Sequence, residues 1–204
     1  MIDSISPLDG RYSKKVIELS EFFSEKALIR ARVAVEVEWL IFIINKLKLN
    51  GAHPINDAHC RALRKLYIEF QDSFADEIKD VESKTNHDVK AVEDFLRDAV
   101  KLLKRSDLIP FIHFACTSED INNLSYAKML DQGLKKVILP NLENILKSIS
   151  EFAEKNKAVP MMSHTHGQPA SPTTLGKEFK NVAARLYRQI ESLKKVEFFG
   201  KING

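Results

Sequence analysis

The sequence predicts an all-α protein, with an N-terminal helical domain followed by the start of a bundle of longer helices. Three observations predict it. Apolar residues recur at intervals of three and four along most of the chain, which is the period of a helix face. No stretch of strand length alternates apolar and polar residues. Only 7 Gly and 7 Pro occur in 204 residues while 29% of residues are charged, a balance that suits long helices better than a turn-rich sandwich.

Taken in order, residues 1–12 are a polar start closing on Asp9-Gly10-Arg11-Tyr12, where Asp-Gly marks a turn. Val16, Leu19, Phe22 and Phe23 open a helical stripe. Residues 24–49 continue it, with Ala27, Leu28, Ala31, Val35, Trp39, Phe42, Ile43 and Leu47 expected along one side. Asn50-Gly51 is expected to end this helix, since both residues tolerate positive φ. Asp57 is the expected N-cap of a helix to about residue 73, carrying Leu63, Leu66, Tyr67 and Phe70. Residues 74–84 are acidic and mixed in pattern. Thr85-Asn86-His87-Asp88 then enters a helix striped by Val89, Val92, Phe95, Leu96, Ala99, Leu102 and Leu103, which Pro110 breaks. Thr117 or Ser118 can cap the next helix, with Glu119 and Asp120 in its first turn. Pro140 suits the first turn of a further helix carrying Leu142, Ile145, Leu146, Ile149 and Phe152. Residues 163–172 are expected as a fixed non-helical turn, and a last helix runs from about residue 173 to 199. A boundary near Pro110 divides the chain into an N-terminal helical domain, 1–109, and the first part of a central bundle domain, 110–204.

Composition excludes several classes. A net charge of +3, from 31 basic and 28 acidic residues evenly spread, does not suit a nucleic-acid or membrane partner. Cys60 and Cys116 have neither a CxxC nor a Cys/His spacing, so two free thiols in a reducing compartment are expected. The N-terminus has no basic-then-apolar signal, and the apolar run from Trp39 to Ile44 is far too short to span a bilayer. A soluble, cytoplasmic protein is expected. No Walker loop, Rossmann glycine pattern or HExxH occurs, so neither a metal nor a nucleotide cofactor is expected.

The candidate chemistry lies in polar clusters at turns. His164 and His166 fall in a Gly- and Pro-marked bend, and imidazole is the side chain that exchanges a proton near neutral pH. His164 has no further argument for a role; His166 is followed by Gly167 and flanked by Thr165 and Gln168. Asn86, His87 and Asp88 stand at one helix start, where unpaired N–H groups favour anions, although ordinary capping by Thr85, Asn86 or Asp88 explains them equally. Thr117 and Ser118 stand at another, and could hold a carboxylate or simply cap; Asn122 and Asn123 in the next turn are unusual helix formers. Arg11 with Tyr12 suits a phosphate or carboxylate, or plain solvation. His53, His59 and His113 read as structural, each lacking a local polar constellation. Three polar clusters and one proton carrier suggest an anionic ligand with several carboxylates or a phosphate.

These clusters, in this order, resemble the adenylosuccinate lyase branch of the fumarase/aspartase superfamily. The matching elements are Ser-Pro-Leu-Asp-Gly-Arg-Tyr (6–12), Thr-Asn-His-Asp-Val-Lys-Ala-Val-Glu (85–93), Phe-Ile-His-Phe-Ala-Cys-Thr-Ser-Glu-Asp-Ile-Asn-Asn (111–123), Thr-His-Gly-Gln-Pro-Ala (165–170) and Gly-Lys-Ile-Asn-Gly (200–204). The resemblance implies a cofactor-free β-elimination that releases fumarate from adenylosuccinate, giving AMP, and from the succinylated imidazole carboxamide ribotide of purine synthesis. It implies His166 as general acid and Arg11 and Tyr12 as nucleotide-side contacts. Asn86, His87 and Asp88 would form a second binding group, with Thr117 and Ser118 on the succinyl carboxylates. It also implies a homotetramer whose sites draw on three subunits. His164 departs from the family's usual arginine, and the Ser-Ser-x-Met-Pro loop that carries the family's catalytic base is not among the 204 residues. The chain is therefore expected to be an N-terminal portion that does not turn over alone. Alternatives are another superfamily lyase, such as one acting on argininosuccinate, or a non-catalytic helical assembly domain.

Overall fold

A computed structural model describes residues 4–49 and 51–202. They form two compact units: one runs up to Gln132 and includes the tail from Phe198, the other is Gly133–Glu197.

The first unit holds α1 (Ile17–Phe23), α2 (Glu25–Asn45), α3 (Asp57–Ile68), α4 (Asp72–Thr85), α5 (Asp88–Leu102) and α6 (Ser118–Gly133, whose last residue falls in the second unit), with short 3-10 turns at Ser13–Lys15 and Ser106–Phe111. Its core gathers around α2, where Val33, Val37, Leu40 and Ile43 are essentially inaccessible and pack with Leu63, Ile78, Val92, Leu96 and Leu108. Each such side chain contributes about 1.5–3 kcal/mol by leaving water. The one-sided stripe expected for α2 is corrected by this burial. Ala27, Ala31 and Ile43 are inside as expected, but Phe42 and Leu47 are exposed and the helix is buried on most of its circumference. Small and β-branched residues all round, rather than a stripe, are the mark of a central helix.

Several expected boundaries also shift. Helix α2 stops at Asn45, not near residue 49, because the Asn45 amide accepts from the Ile55 N–H and donates to the Ile55 carbonyl, both at 2.8 Å. Asn50 lies outside the described residues. The cap of α3 is Asn56, whose Oδ1 accepts from the His59 N–H at 2.8 Å, and Asp57 is already helical. The mixed stretch after it is a separate helix, α4, which buries Ile78 and packs Phe74 and Val81 on the core.

The second unit holds a π turn (Leu134–Ile138), α7 (Leu139–Lys155), strands β1 (Pro160–Thr165) and β2 (Gln168–Thr174), and α8 (Leu175–Leu193). Pro140 sits in the first turn of α7 as expected. Having no N–H and a ring that crowds the carbonyl four residues back, it is accommodated by the widened turn just before it. Helices α7 and α8 pack together through Ala153, Ala183, Ile190 and the Phe152–Phe179 ring pair, centroids 4.6 Å apart. The close approach runs through Gly176: a Cβ there would meet the Ala153 carbonyl and the Lys157 main chain.

The all-α class holds, with one addition. The stretch expected as a turn is the tip of an antiparallel hairpin, with Pro160 paired to Thr174 and Thr165 to Gln168. Its strands are exposed along most of their length, so no apolar alternation announces them. Pro169 and Pro172 push the residues before them into extended conformations instead. Helix α8 covers Leu175–Leu193, shorter at both ends than expected, with Thr174 as cap. Among the described residues no helix is long and apolar enough to cross a membrane.

Candidate functional site

The start of α5 is built by His87. It is the N-cap, its Nδ1 accepting from the Lys90 N–H at 3.2 Å, so capping falls to the histidine and not to Thr85, Asn86 or Asp88. A ring whose Nδ1 accepts carries its proton on Nε2 when neutral. His87 is exposed, so that Nε2–H is available as a donor. Asn86 just before it adopts φ = 51° as the left-handed end of α4 and is also exposed. The Asp88 carboxylate is more occupied: Oδ1 accepts from the Val89 N–H at 2.9 Å and Oδ2 from Arg32 Nη2 at 2.5 Å. Partial burial pushes its pKa up, but the Val89 amide and the Arg32 guanidinium outweigh burial and hold it below the usual carboxylate value.

The start of α6 is a capping turn. Asp120, buried, accepts from the Thr117 N–H at 2.8 Å and from the Thr117 hydroxyl at 3.2 Å. Thr117 is thereby pinned, whereas the Ser118 hydroxyl makes no hydrogen bond among the described residues. Asn122, one turn on, accepts from Arg32 Nε at 2.8 Å. Arg32 of α2 thus joins both helix starts.

The segment leading into α6 is fastened to the same helix. His113 Nδ1 lies 2.6 Å from Oε1 of the buried Glu36, and Trp39 Nε1 donates to the Phe114 carbonyl at 2.8 Å. His113 and Ala115 hold φ of 60° and 58°, a strained region for residues with a Cβ that persists only where surrounding contacts impose it. The Glu36 carboxylate raises the His113 pKa above its ordinary value; burial opposes this, Glu93 adds to it and Lys90 subtracts. Burial pushes the neighbouring Cys116 thiol up to about 11, which keeps it protonated and inert. His113, read from sequence as lacking polar company, has it from Glu36, 77 positions away.

Arg11 and Tyr12 are exposed and pair with each other, the guanidinium 5.5 Å from the ring centroid, beside a hollow lined by Ser6, Gly10, Ser13 and Lys14. They share no hydrogen bond with the Arg32 network among the described residues. His166 belongs to the second unit, at the hairpin tip. Thr165 and Gln168 pair across it, and both central residues have positive φ, 50° at His166 and 76° at Gly167. Two such residues make the tightest hairpin turn that matches strand twist, and glycine supplies the second without strain. The His166 ring is exposed, as is that of His164. Among the described residues no group of three or more His, Cys, Asp or Glu could hold a metal.

Sequence reasoning did not single out Arg32, Glu36 or Trp39, and it saw Asn122 only as a poor helix former. The available signal was Arg32 and Glu36, opposite charges four residues apart in a mainly apolar helix that also carries Arg30 and Glu38.

The model of a family described as lyase matches residues 10–204. Over 207 aligned residues, covering all of this chain and 45% of the relative, it is 47% identical to adenylosuccinate lyase of Haemophilus influenzae. Against the enzyme of the same name from Escherichia coli it is 44% identical, again over its whole length and 45% of the relative. The chain thus spans a little under half the length of these curated relatives. Among solved structures, a fumarate lyase from Mesorhizobium sp. BNC1 superposes with TM-score 0.70 at 20% identity over 91% of this chain and 42% of the other, a likeness of fold.

Proposed function

Because the chain belongs to the lyase family, we propose that it forms the N-terminal portion of an adenylosuccinate lyase, which eliminates fumarate from adenylosuccinate and from the succinylated imidazole carboxamide ribotide. One observation carries this reading: identity of 41–47% to enzymes of that name along essentially the whole chain. In the reaction a base takes a proton from the carbon next to a carboxylate. The electron pair forms the double bond of fumarate, the C–N bond breaks, and the departing nitrogen takes a proton.

His166 is our candidate for the group giving that proton: an exposed imidazole on a tightly turned tip needs no rearrangement to meet a ligand. The N-terminus of α6 suits the succinyl carboxylates, since the Ser118 hydroxyl and first-turn N–H groups are donors that favour anions. His87 at the α5 start offers an Nε2–H, and Arg11 with Tyr12 would meet the nucleotide. Asp88 acts from within the Arg32 network, so its part is to fix the α5 start from which Asn86 and His87 act. Division at residue 109/110 into an N-terminal and a central domain belongs to the same proposal. So does a homotetramer, supported by the exposed Ile145, Phe152, Val182 and Tyr187 of α7 and α8. A cytoplasmic location is supported by the free thiols Cys60 and Cys116.

The test is turnover. The protein in its full encoded length is expected to release fumarate from adenylosuccinate and not from argininosuccinate, whereas residues 1–204 alone release none. Preference for argininosuccinate would overturn the substrate, and turnover by residues 1–204 would overturn the need for a base from elsewhere.

A further inference from the structure

Helix α2 carries polar side chains at 32, 36 and 39, spaced four and three apart and so on one face, each bonded to a segment that bears candidate site residues. Arg32 is the most committed of them. Its side chain is 7% exposed, and the guanidinium donates to Asp88 Oδ2 from Nη2 and to Asn122 Oδ1 from Nε. Taking an arginine out of water is costly, and an apolar residue of similar size would commonly serve a core better. What an apolar residue cannot do is hold two separate helix starts to one planar, forked group. A lysine, with one nitrogen, cannot reproduce that fork either.

We propose that Arg32 is a positioning residue for the lyase reaction: by gripping Asp88 at the start of α5 and Asn122 one turn into α6, it sets the spacing at which His87 and Ser118 face a ligand. Asn122 lies one helical turn after Ser118, so fixing the asparagine fixes the rotation of α6 and the direction of the Ser118 hydroxyl and the first-turn N–H groups. The Asp88 arm does the same for α5, since Asp88 directly follows the capping His87. The strained segment from His113 to Ala115, fastened by Glu36 and Trp39, closes the remaining freedom of the loop before Thr117. Positioning of this kind matters to rate because a misplacement of about 1 Å costs on the order of 100-fold.

The inference rests on Ser118 holding a substrate carboxylate, and a double-mutant cycle separates the two ideas. In the full-length protein, kcat/KM for adenylosuccinate is measured for wild type, Ser118→Ala, Arg32→Lys and the double variant, with melting temperature alongside. Losing a hydrogen bond to a carboxylate should cost Ser118→Ala on the order of 10- to 100-fold. If Arg32 positions Ser118, the same substitution costs much less in the Arg32→Lys background, about threefold or under. Equal losses in both backgrounds, with Arg32→Lys only lowering the melting temperature, would make Arg32 structural and overturn the proposal. A Ser118→Ala variant with wild-type kcat/KM would instead remove the carboxylate reading, and the positioning role with it. Should Arg32→Lys fail to fold, Asn122→Ala severs the α6 arm alone and enters the same cycle with the same two readings.

Discussion

A buried carboxylate against a histidine makes a pH-dependent contact, and Glu36 with His113 is the clearest instance here. Folding raises the His113 pKa above 6.5, through the Glu36 hydrogen bond first of all. The contribution to stability is therefore fully present below pH about 6.5 and is lost as pH rises through the higher folded value. The wild-type protein should lose stability between pH 6 and 9 more steeply than Glu36→Gln, in which an amide replaces the carboxylate. Urea midpoints across that range measure the difference, and parallel curves for the two proteins would show that the pair does not titrate as described. Asp107 behaves in the opposite sense: the Arg105 guanidinium, above all, holds its carboxyl down to about 2, so that its stabilisation persists well into acid.

At the scale of elements, the hairpin and the α7–α8 pair show how two glycines differ. Gly167 stands in open space and is needed for its positive φ, whereas Gly176 has ordinary φ and no room. A Cβ on Gly176 would lie 2.5 Å from the Lys157 Cα and closer still to the Ala153 carbonyl, both main-chain groups that cannot turn aside. Gly176→Ala should cost about 1–3 kcal/mol through overpacking. Thermal unfolding reads it, and an unchanged midpoint would mean α7 and α8 do not pack this closely. Elements with one apolar face were legible from sequence: the stripes expected for α3, α5 and α7 each fall on a helix. Without a single apolar face the pattern misleads. Residues 24–49 are legible as a helix, but α2 is buried nearly all round, so the one-sided stripe expected for it does not hold; the hairpin is exposed on both faces, so no apolar alternation marks its strands. The α3 cap lies one position before the expected Asp57 because Asn56 and Asp57 are adjacent residues that can each accept from the backbone; at α5, where Thr85, Asn86 or Asp88 was expected, the imidazole of His87 accepts instead.

For the molecule as a whole, the candidate site residues stand out in the sequence as polar clusters at helix starts and at turns, while the side chains that hold the two helix starts do not. Arg32 and Glu36 bind groups 56 and 77 positions away, a distance no local pattern spans. The same limit explains why His113 looks isolated in the sequence. The central claim is that this chain supplies the proton donor of a fumarate-releasing elimination, and that the donor is His166. Its most direct test is the kcat of the full-length protein for adenylosuccinate, wild type against His166→Gln, followed by fumarate release with far-UV dichroism as the check on folding. Loss of a general acid should lower kcat by about 10²–10⁴-fold at unchanged helix content; turnover within a factor of about three of wild type would contradict the assignment and leave the hairpin a purely structural turn.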